Sequence, residues 1–209
     1  LQNIGTWEQV ERKPEMNVIQ STWAFKIKRF PDGLVRKLKS RLCVRGDQQI
    51  EGVDFFDTFA PVVQWSTVRM MFILSLQLGL ASTQVDYVSA FCQAPIEEEV
   101  YVGLPQGWEL LNNMNIPQKF KRNHVLKLKR SMYGLRQSPR NFFKHLKKNL
   151  EIAGFVQSEN DPCLFISDNV ICVCYVDDCL WWSPEQRYID EAIERVKVNM
   201  DLEVEDSVD

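Results

Sequence analysis

Residues 163–183, CLFISDNVICVCYVDDCLWWS, constrain the chain most. Three short apolar segments are separated by Asp168-Asn169 and by Asp177-Asp178. None is long enough for a globular helix, and each is rich in β-branched, aromatic or cysteine side chains, so they read as short antiparallel strands. Alternate strand residues share a face, which puts Cys172 and Cys174 together. Adjacent aspartates in so apolar a run have three readings: a hairpin turn between buried strands, part of a metal site, or, with Cys172, Cys174 and Cys179, a zinc cluster. A zinc ribbon uses C-x-x-C pairs, and none occurs; His124 and His145 have no ligand-like spacing to the cysteines. Small buried apolar cysteines are favoured over zinc.

The remaining pattern alternates strands and helices. Residues 23–45 read as a hairpin around Pro31-Asp32-Gly33, with Lys37, Lys39 and Arg41 on one face of its second strand. Residues 66–80 read as a buried helix capped by Ser66 or Thr67 and ended by Gly79. A short strand over 82–91 carries Asp86 near its end, 93–124 are loop-rich, and 125–135 return as a strand. Residues 138–154 read as a helix, with Ser138 as cap, Pro139 at its first position, Gly154 at its end, and Phe142, Phe143, Leu146 and Leu150 as its apolar stripe. SPEQ at 183–186 opens a last helix that buries Ile189, Ala192, Ile193, Val196 and Met200. This order predicts an α+β fold, an antiparallel sheet with helices on one face.

At 209 residues and 45% hydrophobic, the chain has material for one domain or two closely packed subdomains. No apolar run is long enough to cross a bilayer, and LQNIGTWEQVERK has no apolar signal segment, so no membrane partner is expected. The chain begins at Leu and reads as a piece of something longer. Six cysteines without a signal peptide point to reduced thiols inside a cell, in cytoplasm or nucleus. The net charge of −3 disfavours a polyanionic partner, but its distribution does not. Residues 26–45 and 110–150 hold eight and eleven of the 25 basic residues, against one acid, Asp32. Such segregation guides a polyanion to one surface, or it marks two solvated basic faces.

Two adjacent carboxylates repel when both ionise, and a plain turn is more easily made by Asn-Gly or Asp-Gly. Mg²⁺ removes the repulsion, taking carboxylates plus substrate phosphates. A pair of such ions, roughly 3.5–4 Å apart, serves in-line nucleotidyl transfer. A third carboxylate must then come from another strand, and Asp86 is the only acid between Asp57 and Glu97. On these features alone, a turn without metal stays open.

YVDD, Tyr175 to Asp178, in a hairpin resembles the active-site box of reverse transcriptases. RKLKSRLCVRGDQQIEGVDFFDTFAPVV (36–63), QVDYVSAF (84–91), VYVGLPQGW (100–108) and LKLKRSMYGLRQSPRNFF (126–143) occur in the order seen in copia-type retrotransposon enzymes. The resemblance covers most of 7–184 and implies a polymerase palm plus fingers, with the thumb largely absent. Fingers would be 1–65 and 94–124, and palm 66–93 and 125–209. It implies Asp86, Asp177 and Asp178 as catalytic ligands of two Mg²⁺ ions, with Mn²⁺ as a substitute. It implies Phe91 as an aromatic gate against ribose, and Lys39, Arg41, Tyr87 and Gln137 at the nucleotide. Tyr175, Val176, Gly134, Ser138, Pro139 and Arg140 would lie along template and primer. LPQGW (104–108) looks like a retroviral pocket string, but it lies far ahead of Ser138 and reads as a fingers loop, so Gln106 is not assigned.

The implied partners are RNA and DNA template–primer, dNTPs, and other Pol domains such as integrase and RNase H. The implied setting is a cytoplasmic virus-like particle or the nucleus. After Pro184 the resemblance fades, and NMDLEVEDSVD matches poorly. Without a thumb, weak primer–template binding and low processivity are expected. The rival is a folded but inactive nucleic-acid-binding remnant; another palm-type enzyme, such as a cyclase, is disfavoured by the ordered blocks before Asp86.

Overall fold

Turn chemistry shapes Pro31-Asp32-Gly33 as expected. The Asp32 carboxylate accepts a hydrogen bond from the Leu34 N–H at 2.9 Å, and Gly33 takes φ 88°. In this computed structural model, which describes residues 4–111 and 118–205, the chain opens with β1 (Trp7–Glu11) and β2 (Val18–Ile19). The hairpin of β3 (Ser21–Arg29) and β4 (Val35–Val44) follows, then α1 (Trp65–Leu78) and β5 (Ala81–Tyr87). Next come β6 (Tyr101–Gly103), the short helices α2 (Trp108–Leu111) and α3 (Gln118–Asn123), and β7 (His124–Leu128). α4 (Ser138–Ile152) leads to β8 (Val156–Gln157), β9 (Leu164–Ile166), β10 (Ile171–Tyr175), β11 (Asp178–Ser183), α5 (Gln186–Lys197) and β12 (Leu202–Val204). Among the described residues no helix is long and apolar enough to cross a membrane. Residues 1–3, 112–117 and 206–209 of the expected fingers and palm spans lie outside the described residues.

Two compact units result: Leu1–Thr58 with Ala94–Asn141, and Phe59–Gln93 with Phe142–Asp209. The first contains the four-stranded sheet β1-β7-β6-β2 and the separate two-stranded sheet β3-β4. Its core joins Ile19, Val100, Val102, Trp108, Leu126, Leu128 and Met132 to Leu42 and Val44 at the root of the hairpin. Residues 125–141 belong to this unit, because β7 lies between β1 and β6 and is hydrogen-bonded to both. The expected strand over 125–135 therefore ends at Leu128, and a tight turn carries the chain into α4. Ser138 does not cap α4 as expected: its Oγ donates at 2.6 Å to the Met132 carbonyl and closes that turn instead.

The second unit is built on an antiparallel sheet ordered β12-β5-β11-β10-β9-β8. Its two faces follow from register and strand alternation. One carries Val85, Tyr87, Phe165, Cys172, Cys174, Cys179 and Trp181, all nearly or fully buried. Phe142 of α4 meets Tyr87 edge-on at 5.8 Å, and Gln186 of α5 donates to the Thr83 hydroxyl, so both helices serve this face. The other face carries Val173, Leu180 and Trp182, against which α1 packs Val68, Met71 and Leu74. Helices thus cover both faces rather than one. Nor is α1 buried as expected: Trp65, Ile73, Leu76 and Leu78 are 73%, 56%, 84% and 67% exposed. A helix apolar all round reads as buried, but what meets the sheet here is the stripe of Val68, Met71 and Leu74, with the Phe72 ring edge-on to Trp182 at 5.8 Å. Its N-cap is Gln64, without a side-chain cap, while Gly79 ends it at φ 63° as expected.

Candidate active site

The register of β5 against β11 sets Asp86 directly opposite Asp178. On the other side of β5, Glu203 of β12 is opposite Asp86. Directly opposed residues share a face, so Glu203, Asp86 and Asp178 form a row of carboxylates across three strands. Asp177 sits in the two-residue loop Val176-Asp177, and its carbonyl accepts a 3.1 Å hydrogen bond from the Tyr87 N–H. The loop is thus Val176-Asp177, and Asp178 is already in β11.

Val176 has φ 57°, a left-handed conformation that costs a β-branched residue about 1–2 kcal/mol. Two-residue hairpin loops demand such backbone, which glycine or asparagine usually supplies. Asp86 and Asp177 are half-buried, while Asp178, Tyr175 and Val176 are exposed. Like charges opposed across a sheet destabilise it, and a hard divalent cation is the ligand that this all-oxygen donor set fits. Among the described residues, Cys172, Cys174 and Cys179 form a separate group whose ligand atoms all lie within 4.8 Å of one another.

Tyr87 does not join this row. Its side chain leaves the opposite face, is 1% exposed, and burial pushes its phenol well above the ordinary tyrosine range. Phe91 is half-buried in the 3-10 turn Ala90–Gln93, its ring 6.2 Å from Phe142 and tilted by 77°. Gln93, which sequence reasoning missed, braces β12: its Nε2 donates to the Val88 and Asp201 carbonyls, and its Oε1 accepts from the Asp201 N–H. Glu203 was also missed; the alternation Leu202-Glu203-Val204-Glu205 marks a strand but not its partner.

The other expected residues lie in the first unit. Gln137 is fully buried; its Nε2 donates to the Asp54 carbonyl at 2.7 Å and its Oε1 accepts from Gln49 at 2.9 Å. Gln49 in turn accepts from the Arg136 N–H, so this network holds the loop that precedes α4. Gly134 has φ 93°, and a Cβ there would stand 2.1 Å from the Val44 carbonyl oxygen. Its constraint is close approach to β4. Pro139 lies in the first turn of α4, and Arg140 pairs with Asp57 at 2.8 Å. Arg45, Gly46, Arg136 and Gly134 line a shallow groove beside Thr22, Val44 and Asp47. In the loop expected to be a decoy, the Gln106 carbonyl accepts from the Trp23 indole and Trp108 packs on Trp7, which are structural roles.

The basic windows differ. In 110–150, Lys121, Lys127, Lys129, Arg140 and Lys147 form ion pairs with Glu109, Glu99, Glu8, Asp57 and Glu151. In the hairpin, register sets Lys26 opposite Lys39 and Lys28 opposite Lys37, with Arg41 on the same face. Repelling cross-strand pairs of this kind fit a bound polyanion. Arg41 lies 5.3 Å above the Tyr133 ring, and the opposite hairpin face exposes Phe25, Ile27 and Leu38.

The similarity to known proteins fits this arrangement. The model of the reverse transcriptase (RNA-dependent DNA polymerase) family matches residues 4–207, past the point where the motif resemblance fades. The chain is 33% identical over 185 residues to the retrovirus-related Pol polyprotein from transposon TNT 1-94 of Nicotiana tabacum, covering 86% of this chain and 13% of that protein. It is 31% identical over 180 residues to that from transposon RE1 of Arabidopsis thaliana, covering 84% and 12%. It is 30% identical over 215 residues to the transposon Ty1-DR4 Gag-Pol polyprotein of Saccharomyces cerevisiae, covering 98% and 12%. The chain thus spans about an eighth of the length of these relatives. By its family match and by these relatives, the chain belongs to the reverse transcriptase family, in its copia-type retrotransposon branch.

Proposed function

We propose that this chain supplies the fingers and palm of an RNA-directed DNA polymerase, which adds dNTPs to a primer 3′-OH on an RNA or DNA template. The first unit corresponds largely to fingers and the second largely to palm; residues 125–141 pack with the former. The carrying observation is the strand register that sets Asp86 opposite Asp178, with Asp177 beside them in the loop. When bound, two Mg²⁺ ions, or Mn²⁺ in their place, supply charge neutralisation at the phosphates and acidify the attacking hydroxyl. Asp86 and Asp177 are the principal carboxylates for them, with Asp178 completing the set. The strained Val176 turn holds Asp177 at the hairpin tip, and a rigid support of this kind limits how far a reacting group strays.

Phe91, braced by Phe142, is the side chain suited to exclude a ribose 2′-OH. Lys39, Arg41 and their basic neighbours suit the triphosphate and the nucleic-acid backbone, whose recognition is tolerant of sequence and sensitive to salt. Integrase and RNase H domains would act from elsewhere in a parent polyprotein.

The test is extension of a primed RNA template with dNTPs and Mg²⁺. Outer partners of metal ligands typically change activity by about 10–100-fold, so a direct ligand should cost at least about 100-fold. Asp177→Asn is expected to lose extension to that degree while salt-dependent template binding persists. Binding without extension by the unmutated chain would instead identify an inactive binding remnant.

A further inference from the structure

The sheet of the second unit has another cluster of ligating atoms, behind the carboxylates. Cys172 and Cys174 alternate along β10, and Cys179 is the β11 partner of Cys174, so three thiols leave the same face. Their Sγ atoms all lie within 4.8 Å of one another, with Cys172 and Cys174 at 3.5 Å. One ion bound to thiolates at about 2.3 Å requires sulfurs about 3.8–4.0 Å apart, so side-chain adjustments of at most about 1 Å close the set. All three thiols are free of disulfides and at most 2% exposed.

A second observation points to a ligand here. The Tyr87 side chain leaves the same face of the sheet as the thiols, is 1% exposed, and its hydroxyl has no hydrogen-bond partner. Buried hydroxyls are nearly always satisfied. Small apolar packing accounts for one or two cysteines, but it does not account for an unpaired phenol on the same face as three thiols. The spacing along the chain conceals the cluster, because the third sulfur arrives through strand pairing.

We propose that Cys172, Cys174 and Cys179 bind one thiophilic d¹⁰ cation of the Zn²⁺ or Cu⁺ kind. The site is chemically distinct from the carboxylate row: thiolates select soft and borderline ions, and carboxylates select Mg²⁺. Binding releases thiol protons to solvent. The ion ties β10 to β11 at the Cys174–Cys179 pair, next to the Tyr175–Asp178 pair, and so stiffens the hairpin that carries Asp177.

The experiment is refolding of the 209-residue chain with Cd²⁺ in a thiol-free reductant, reading the near-ultraviolet cadmium–thiolate absorption. The expected result is saturation at one ion per chain, undisturbed by excess Mg²⁺. Cys174→Ser should lower the affinity more than tenfold, while Cys43→Ser leaves it unchanged. No absorption at one equivalent, or absorption that survives Cys174→Ser, overturns the site. Should Cys174→Ser fail to fold, alkylation of the unmutated chain followed by mass spectrometry decides the matter. Cadmium should then slow the alkylation of Cys172, Cys174 and Cys179 relative to the metal-free chain and leave the rates of Cys43, Cys92 and Cys163 unchanged. Equal protection of all six, or none, overturns it.

Discussion

The two faces of the β5–β11–β10 sheet differ more than any two regions of the chain. One face ends in Glu203, half-buried Asp86 and Asp178, a row of like charges, with the exposed Tyr175 at its end. The other holds Tyr87, Trp181 and three cysteines, none more than 2% exposed. The same strands make both, because a strand alternates its side chains. Asp86 and Tyr87 are neighbours in sequence, as are Asp178 and Cys179, yet each pair divides between repulsion in water and tight packing. The buried face anchors the strands, and the open face spends part of that stability on holding charges together. Burial also separates the thiols chemically. It pushes Cys172 and Cys179 up, while hydrogen bonds from those two hold Cys174 down at about 5.

The contrast can be broken most strongly at Trp181, which is fully buried and stacked edge-on with Phe155 at 5.3 Å. Trp181→Ala should destabilise the chain by about 3–5 kcal/mol in urea unfolding; a loss below about 1 kcal/mol would mean that this face is not the anchor. Cys179→Ser replaces a buried thiol by a more polar hydroxyl and should cost about 1–3 kcal/mol in metal-free buffer. Stability unchanged by that substitution would argue against a tightly packed thiol face.

On the open face the sign should reverse. Val176→Gly relieves the left-handed valine and should raise the melting temperature, by about 1 kcal/mol of stability or slightly less. A fall would show that the turn is not strained. Asp178→Asn removes one opposed charge and should add a few tenths of a kcal/mol without divalent cation, an advantage that saturating Mg²⁺ erases. If Asp178→Asn lowers stability in metal-free buffer, the carboxylate row is not repulsive.

Local chemistry made part of this legible. Pro31-Asp32-Gly33 fixes its turn within a few residues, and the stripe of Ile189, Ala192, Ile193 and Val196 is buried in α5 as its spacing implies. Asp86 stood out because no other acid is near it in sequence. The rest depends on distant pairing. β12 lies in an acidic stretch where the alternation Leu202-Glu203-Val204-Glu205 is too short to name a partner strand, and it joins the sheet through β5 and the Gln93 brace. Glu203 gains its place beside Asp86 only through that pairing. The need for glycine at 134 comes from Val44, far off in sequence. The exposure of α1 is set by which of its apolar residues find a partner, and the helix alone carries no record of that.

The central claim is that the register of β5 and β11 assembles a carboxylate site for nucleotidyl transfer. Asp86→Asn tests it most directly, because Asp86 comes from a different strand than the YVDD hairpin. Single-nucleotide primer extension on an RNA template, with Mg²⁺, should fall by at least about 100-fold, while circular dichroism and salt-dependent template binding stay as in the unmutated chain. Extension by Asp86→Asn at the unmutated rate would contradict it.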